Sequence, residues 1–124
     1  MIWLAAVASA LTFCVHTFVG GPVVAKPLLA AAKLPKASKW LNYFTWHVTT
    51  VLLAAMTMAL AWLASGASAE VAEPALVFFG GLSAALSVLS AAVAIRGRIH
   101  PLRFPSTSLF ALTSALCWTG LIGL

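Results

Sequence analysis

The amino-acid sequence predicts an all-α membrane protein whose four transmembrane helices form an up-down bundle, with both termini outside. Its 124 residues are 63% hydrophobic and only 7% charged, which is too little polar material to cover a soluble domain of this size. The apolar runs are rich in Ala and Leu and lack the alternation of barrel strands. They therefore favour helices, which satisfy their own backbone groups in lipid. Since about 20 residues cross the hydrocarbon core, the length allows four spans in a single domain.

The four predicted spans cover residues 2–20, 42–65, 74–95 and 105–124. The first is expected to end at Gly20-Gly21-Pro22, because glycine and proline are typical of helix ends. Pro74 suits the first turn of the third helix. No basic residue precedes the first apolar run, so we expect this span to remain in the mature protein rather than to be removed as a signal peptide.

The charged residues are segregated between the connections. All seven Lys and Arg lie in residues 21–41 and 96–104, and both Glu lie between the second and third spans. Because basic residues in short loops stay in the cytoplasm, the sequence predicts a multi-pass protein of the bacterial inner (cytoplasmic) membrane with these two connections inside. Connection 21–41 is interpreted either as a loop that contacts only lipid head groups or as a segment lying on the inner leaflet. This topology also explains the net charge of +5, so we expect no nucleic-acid partner.

Small and polar residues at helical spacing mark the faces on which membrane helices pack. Each predicted span carries such a stripe, and the second stripe places His47 on the same face as Thr50. Cys14 and Cys117 are expected to be small buried residues that do not pair. The residues assigned to helix packing are Ser9, Thr12, Gly20, Thr50, Thr57, Gly80, Ser83, Ser87, Thr113 and Gly120.

Three histidines lie toward the predicted cytoplasmic end and form the candidate site: His16, His47 and His100. Histidine is the only side chain within the spans that titrates near neutral pH. Three interpretations remain open: hydrogen bonds that join helices, proton or substrate handling, and ligation of haem or a transition metal by His16 and His47. No carboxylate lies in any span, so the prediction is no cofactor, with haem or a metal as the alternative.

Two segments resemble a pattern found in small bacterial four-span membrane proteins of unknown activity: His16-Thr17-Phe18-Val19-Gly20-Gly21 and Trp46-His47-Val48-Thr49-Thr50. The resemblance covers the first two spans. It implies an inner-membrane location and associates His16 with His47. In size and span number the chain is also similar to the small multidrug resistance transporters. That family uses a glutamate in its first span, which this chain lacks, so the similarity is one of architecture.

These observations predict a non-enzymatic accessory or assembly subunit whose partners are the lipid bilayer and either further copies of itself or a larger membrane complex. No catalytic residues are predicted, because a Ser–His nucleophile would need a third orienting group that the sequence does not offer. The first alternative is a homodimeric small-molecule transporter that uses His16 and His47. The second alternative is a haem- or metal-binding membrane protein.

Overall fold

The computed structural model describes residues 1–124 and confirms the all-α class, since the chain forms long helices and no strand. Consecutive helices run antiparallel, so the chain passes up and down four times. The four helices are α1 (Ile2–Ala30), α2 (Lys36–Ala64), α3 (Ala69–Arg96) and α4 (Pro105–Ile122), and a short 3-10 turn at Pro101–Arg103 precedes the last.

Three of the four helices, α1, α2 and α3, are long and apolar enough to cross a membrane. Helix α4 has 18 residues, and its mean hydropathy is too low for it to be counted with these three. It begins with Pro105, Ser106, Thr107 and Ser108, and these residues lower its mean hydropathy. The prediction of four spans is therefore confirmed for three helices.

Helix α1 departs most from the sequence prediction. Instead of ending at Gly20, it continues through Gly21 and Pro22 to Ala30, and Val15–Ala25 is wound as a π-helix. π-helical turns join residue i to residue i+5 and rarely extend beyond one turn. Connection 21–41 is consequently mostly helical, and only residues 31–35 link α1 to α2.

The other helix ends differ less from the predicted ones. Helix α2 begins at Lys36 rather than at residue 42, and α3 begins at Ala69, so Pro74 lies within the helix rather than at its start. Helix α4 begins at Pro105 as predicted, with the proline at the first helical position. The Nζ of Lys39 donates to the carbonyl of Leu29 at 3.0 Å and so satisfies one of the last carbonyls of α1.

The helices pack in the spatial order α2, α1, α4, α3. Helix α1 lies between α2 and α4, and α4 packs along α3. Helices α2 and α3 are consecutive in the chain but make little contact. Where they do meet, the buried Ser83 hydroxyl lies 3.9 Å from the sulfur of Met56. The bundle is thus two helical hairpins joined along the α1–α4 seam.

The apolar core lies mainly at the end of the bundle that carries the chain termini and the loop between α2 and α3. Fewer residues are buried at the other end, where α1 passes into α2 and α3 passes into α4. The bundle is therefore packed more tightly at one end than at the other. The core residues are Ala5, Ala6, Leu53, Met56, Leu60, Leu63, Ala72, Leu76, Phe110 and Cys117.

Side-chain hydrogen bonds join the helices of each hairpin. In the first hairpin, the hydroxyls of Ser9 on α1 and Thr57 on α2 lie 2.9 Å apart. In the second, Ser87 donates to the Thr107 carbonyl at 2.8 Å, and Ser114 donates to the Gly80 carbonyl at 2.9 Å. Hydroxyls are suited to this role because lipid offers no competing partner.

Two of the predicted packing glycines sit at close helix contacts. A Cβ on Gly80 would lie 3.2 Å from the Trp118 indole, and a Cβ on Gly120 would lie 3.4 Å from the side chain of Ile2. Thr12 and Thr113 are also buried, but their hydroxyls donate to carbonyls of their own helices.

Candidate functional site

The antiparallel helices gather all seven Lys and Arg at one end of the bundle and both Glu at the opposite end. We call the first the basic end. Lys26 lies near the end of α1, Lys36 and Lys39 in the first turn of α2, and Arg96 at the end of α3. The segregation follows from the up-down topology, because connections that alternate in charge fall at alternating ends.

His16 lies in the π-helical part of α1 and faces α2. Its ring stacks on Trp46, with centroids 4.0 Å apart and an interplanar angle of 19°. Its Nε2 is 3.2 Å from both the Trp46 carbonyl and the Thr50 hydroxyl. Thr50 in turn donates to the Trp46 carbonyl at 3.1 Å. The imidazole therefore joins α1 to α2 through a stacked ring and a shared pair of oxygens.

Gly20 makes room for this arrangement one turn along α1. A Cβ on Gly20 would lie 2.6 Å from Cη2 of Trp46, closer than real side-chain atoms approach. The neighbouring Gly21 has nothing within 4 Å of the same position. Gly20 is thus required for the position of the Trp46 ring, whereas Gly21 is not.

His47 is exposed and has different partners from His16. Its ring packs edge-on against Tyr43, with centroids 4.5 Å apart, and Tyr43 packs edge-on against Trp40. The sequence places His47 on the same face as Thr50, but in the structure it is Trp46 that shares the α1-facing side with Thr50.

His100 lies in the connection before α4 and is exposed. Its Nδ1 accepts the Leu102 backbone N–H at 3.3 Å, which caps the short 3-10 turn. The three histidines therefore have three separate environments. No group of three or more His, Cys, Asp or Glu side chains is placed to hold a metal ion together.

The two cysteines differ in exposure. Cys117 is fully buried in the core, as expected, and both thiols are free. Cys14 is exposed on the outside of α1, so the prediction that it is buried is wrong. The neighbouring Phe13 packs against the apolar core instead, since one step along a helix turns the side chain by about 100°.

Beside His16, helices α1, α2 and α4 surround a partly open cavity of about 450 Å³. The π-helical segment provides Val15, Val19 and Val23, and α4 provides Leu109 and Phe110. No residue of α3 lines this cavity. It therefore lies on the side of the bundle formed by α1, α2 and α4.

Few polar groups line this cavity. Its polar side chains include His16, Thr12, Thr49 and Ser106, and Arg103 is the only charged residue in its walls. Arg103 immediately precedes Phe104 and the start of α4, so the charge lies at the basic end. The cavity is thus apolar along its length and cationic at one end.

A second cavity of about 380 Å³ adjoins the first. It is lined by Leu28 of α1 and by the polar residues Asn42 and Thr45 of α2. The two cavities share four lining residues. The stacked rings of His16 and Trp46 therefore lie between the apolar first cavity and the more polar second cavity. The shared residues are His16, Val24, Trp46 and Thr49.

Sequence reasoning missed the roles of Trp46 and Arg103. The four-residue spacing of His16 and Gly20 on α1 matches that of Trp46 and Thr50 on α2. This match is the signal that could have shown which face of α2 meets α1. Nothing in the sequence separates Arg103 from the other basic residues, because its distinction is its place beside the cavity.

Comparisons with protein-family models, with curated proteins and with solved structures found no match for this chain.

Proposed function

We propose that the protein spans the bacterial inner membrane four times, with the basic end in the cytoplasm and both termini outside. Two observations support α4 as the fourth span. Its 18 residues measure about 27 Å at 1.5 Å per residue, close to the hydrocarbon thickness of about 30 Å. Its last turn also reaches the level of the first turn of α1, where Gly120 meets Ile2.

Cysteine labelling tests this topology in cells. In a background with Cys14→Ser and Cys117→Ala, single cysteines replace Ser68, Arg98 and Gly123, and a membrane-impermeant maleimide is added from outside. We expect labelling at positions 68 and 123 and protection at 98. Labelling at 68 together with protection at 123 would mean that α4 does not cross.

We further propose that the protein is a non-enzymatic assembly subunit that packs the outer face of α2 against another membrane protein. The observation that supports this is the exposure of His47 within a spanning helix. It lies five residues beyond position 42, where the predicted span begins, or about 7.5 Å along α2. Ionisable side chains within spans nearly always face protein or water rather than lipid, so a second chain would provide the missing cover.

Site-specific photo-crosslinking tests this role in native membranes. A benzoylphenylalanine replaces Phe44 or Val51, which are exposed on either side of His47, and Val88 or Leu89 on α3 serves as the exposed control. We expect discrete protein adducts from the α2 positions only. Adducts of twice the chain mass identify a second copy, and other masses identify a different partner. The absence of protein adducts at both α2 positions would contradict the proposal.

A second candidate function is passage of a small molecule through the space beside His16. The observation that favours it is the pair of adjoining cavities that share His16 and Trp46. On this proposal, His16→Ala abolishes substrate flux in proteoliposomes while the protein stays folded. His47→Ala serves as the comparison, because it lines neither cavity. Unchanged flux in His16→Ala would remove this candidate.

A further inference from the structure

The cavity beside His16 has walls suited to a hydrocarbon chain. Most of its surface comes from aliphatic and aromatic side chains, including Val19, Leu53 and Phe110. Its volume of about 450 Å³ lies within the range of about 300–1,000 Å³ that is usual for small-molecule sites. The walls alone would accept many apolar molecules, so the polar end decides which class fits.

Arg103 provides the polar end. It is exposed, and it is the only charged residue in the lining. Its guanidinium matches the geometry of a phosphate group and binds such groups through paired hydrogen bonds. The six other basic residues lie at the same end but do not line the cavity. They attract anionic head groups in general, whereas Arg103 is placed to hold one beside the apolar space.

The cavity is partly open rather than enclosed. Its walls come from α1, α2 and α4, which lie in the bilayer on the topology proposed above. On that topology, a molecule that already lies in the membrane can reach the cavity without passing through water. A membrane lipid meets all three conditions: a hydrocarbon chain, an anionic head group and a position in the leaflet.

We propose that this cavity binds an anionic phospholipid, with one acyl chain between α1, α2 and α4 and its phosphate on Arg103. The stacked rings of His16 and Trp46 form the wall beside the chain. The site uses the face of α2 that carries Trp46 and Leu53, whereas His47 lines neither cavity, so lipid binding does not depend on the assembly role.

Native mass spectrometry of the full chain in mild detergent tests the proposal. The probes are phosphatidylglycerol, phosphatidylcholine with the same acyl chains, and palmitate. We expect saturable binding of phosphatidylglycerol in preference to the other two. Arg103→Ala should weaken it about tenfold, the effect of losing one charge-assisted contact, and Arg103→Lys should restore part of the loss. Arg98→Ala is the matched control, since it changes the same connection without touching the cavity.

A cavity-filling variant tests the acyl-chain part separately. Leu109→Trp keeps Arg103 but occupies the space, so we expect loss of binding, with circular dichroism and thermal unfolding showing that the bundle is intact. If Leu109→Trp does not fold, Val19→Phe fills the same space from α1. Four outcomes overturn the proposal: equal loss in Arg98→Ala and Arg103→Ala, equal binding of phosphatidylcholine, stronger binding of palmitate, or full binding in a folded cavity-filling variant.

Discussion

His16 and Trp46 stack face to face across the α1–α2 contact, with ring centroids 4.0 Å apart, and the same two rings line both cavities of the basic end. One pair of side chains therefore holds two helices together and separates two spaces. Removing or displacing either ring should alter helix packing and cavity shape together.

The glycines of α1 offer a matched test of this contact. Gly20→Ala places a methyl group 2.6 Å from Cη2 of Trp46, so the ring must move. We expect a destabilisation of about 1–3 kcal/mol, the usual cost of overpacking, measured by thermal unfolding in detergent. Gly21→Ala meets nothing within 4 Å and should be neutral or slightly stabilising, because alanine favours a helix more than glycine does. Equal effects of the two substitutions would contradict the close packing of Trp46.

The two span histidines should differ in their effect on stability. His16→Ala removes the stacked ring and the contacts to Trp46 and Thr50, so we expect a loss of about 1–2 kcal/mol in the free energy of unfolding. His47→Ala removes an exposed ring and should change the free energy of the isolated protein by less than about 0.5 kcal/mol. Reversible unfolding in mixed micelles measures both. A larger loss for His47→Ala would show that the exposed His47 ring, and not the His16 ring, stabilises the helix packing.

The Ser9–Thr57 hydrogen bond should contribute a modest coupling energy. A double-mutant cycle with Ser9→Ala and Thr57→Val isolates it, since both residues lie at one α1–α2 contact. We expect a coupling of about 0.6 kcal/mol, the average for such bonds between membrane helices. A value indistinguishable from zero would mean that Thr57 is satisfied by its bond to the Leu53 carbonyl alone.

A second glycine pair tests the contact between α3 and α4. A Cβ on Gly80 would lie 3.2 Å from the Trp118 indole and 3.3 Å from Cβ of Cys117, whereas a Cβ on Gly81 meets nothing within 4 Å. We expect Gly80→Leu to separate the helices and lower the melting temperature markedly. Gly81→Leu points outward and should leave it nearly unchanged. Equal melting temperatures for the two variants would contradict the close contact of α4 with Gly80.

Much of the fold follows from the sequence, for reasons that individual residues show. The start of α4 is predicted correctly because Pro105 both opens a helix and follows a basic connection. The end of α1 is predicted wrongly because Gly20 and Pro22 normally stop a helix. Here Gly20 instead lies against Trp46, and the chain continues in π-helical turns. Local propensity indicates a stop, but the helix continues through it.

The candidate site is harder to predict because it depends on which face of α2 meets α1. Counting polar residues places His47 beside Thr50 on the inner face, whereas in the structure Trp46 lies beside Thr50 there, and its larger ring packs opposite Gly20. Arg103 gains its role only from its place beside a cavity that α1, α2 and α4 form together, which no local pattern encodes. The sequence therefore identifies the candidate polar residues, but it does not predict which of them lie together in the structure.

The seam between α1 and α4 has a consequence for biosynthesis. Helix α1 is the first of the four to leave the ribosome and α4 is the last, yet Ile2 packs against Gly120. The hairpin of α1 and α2 can form early, but the face of α1 that α4 covers stays open until translation has passed α4. Closure of the bundle is thus a late event, and during that interval the nascent chain presents an uncovered helix face to the insertion machinery.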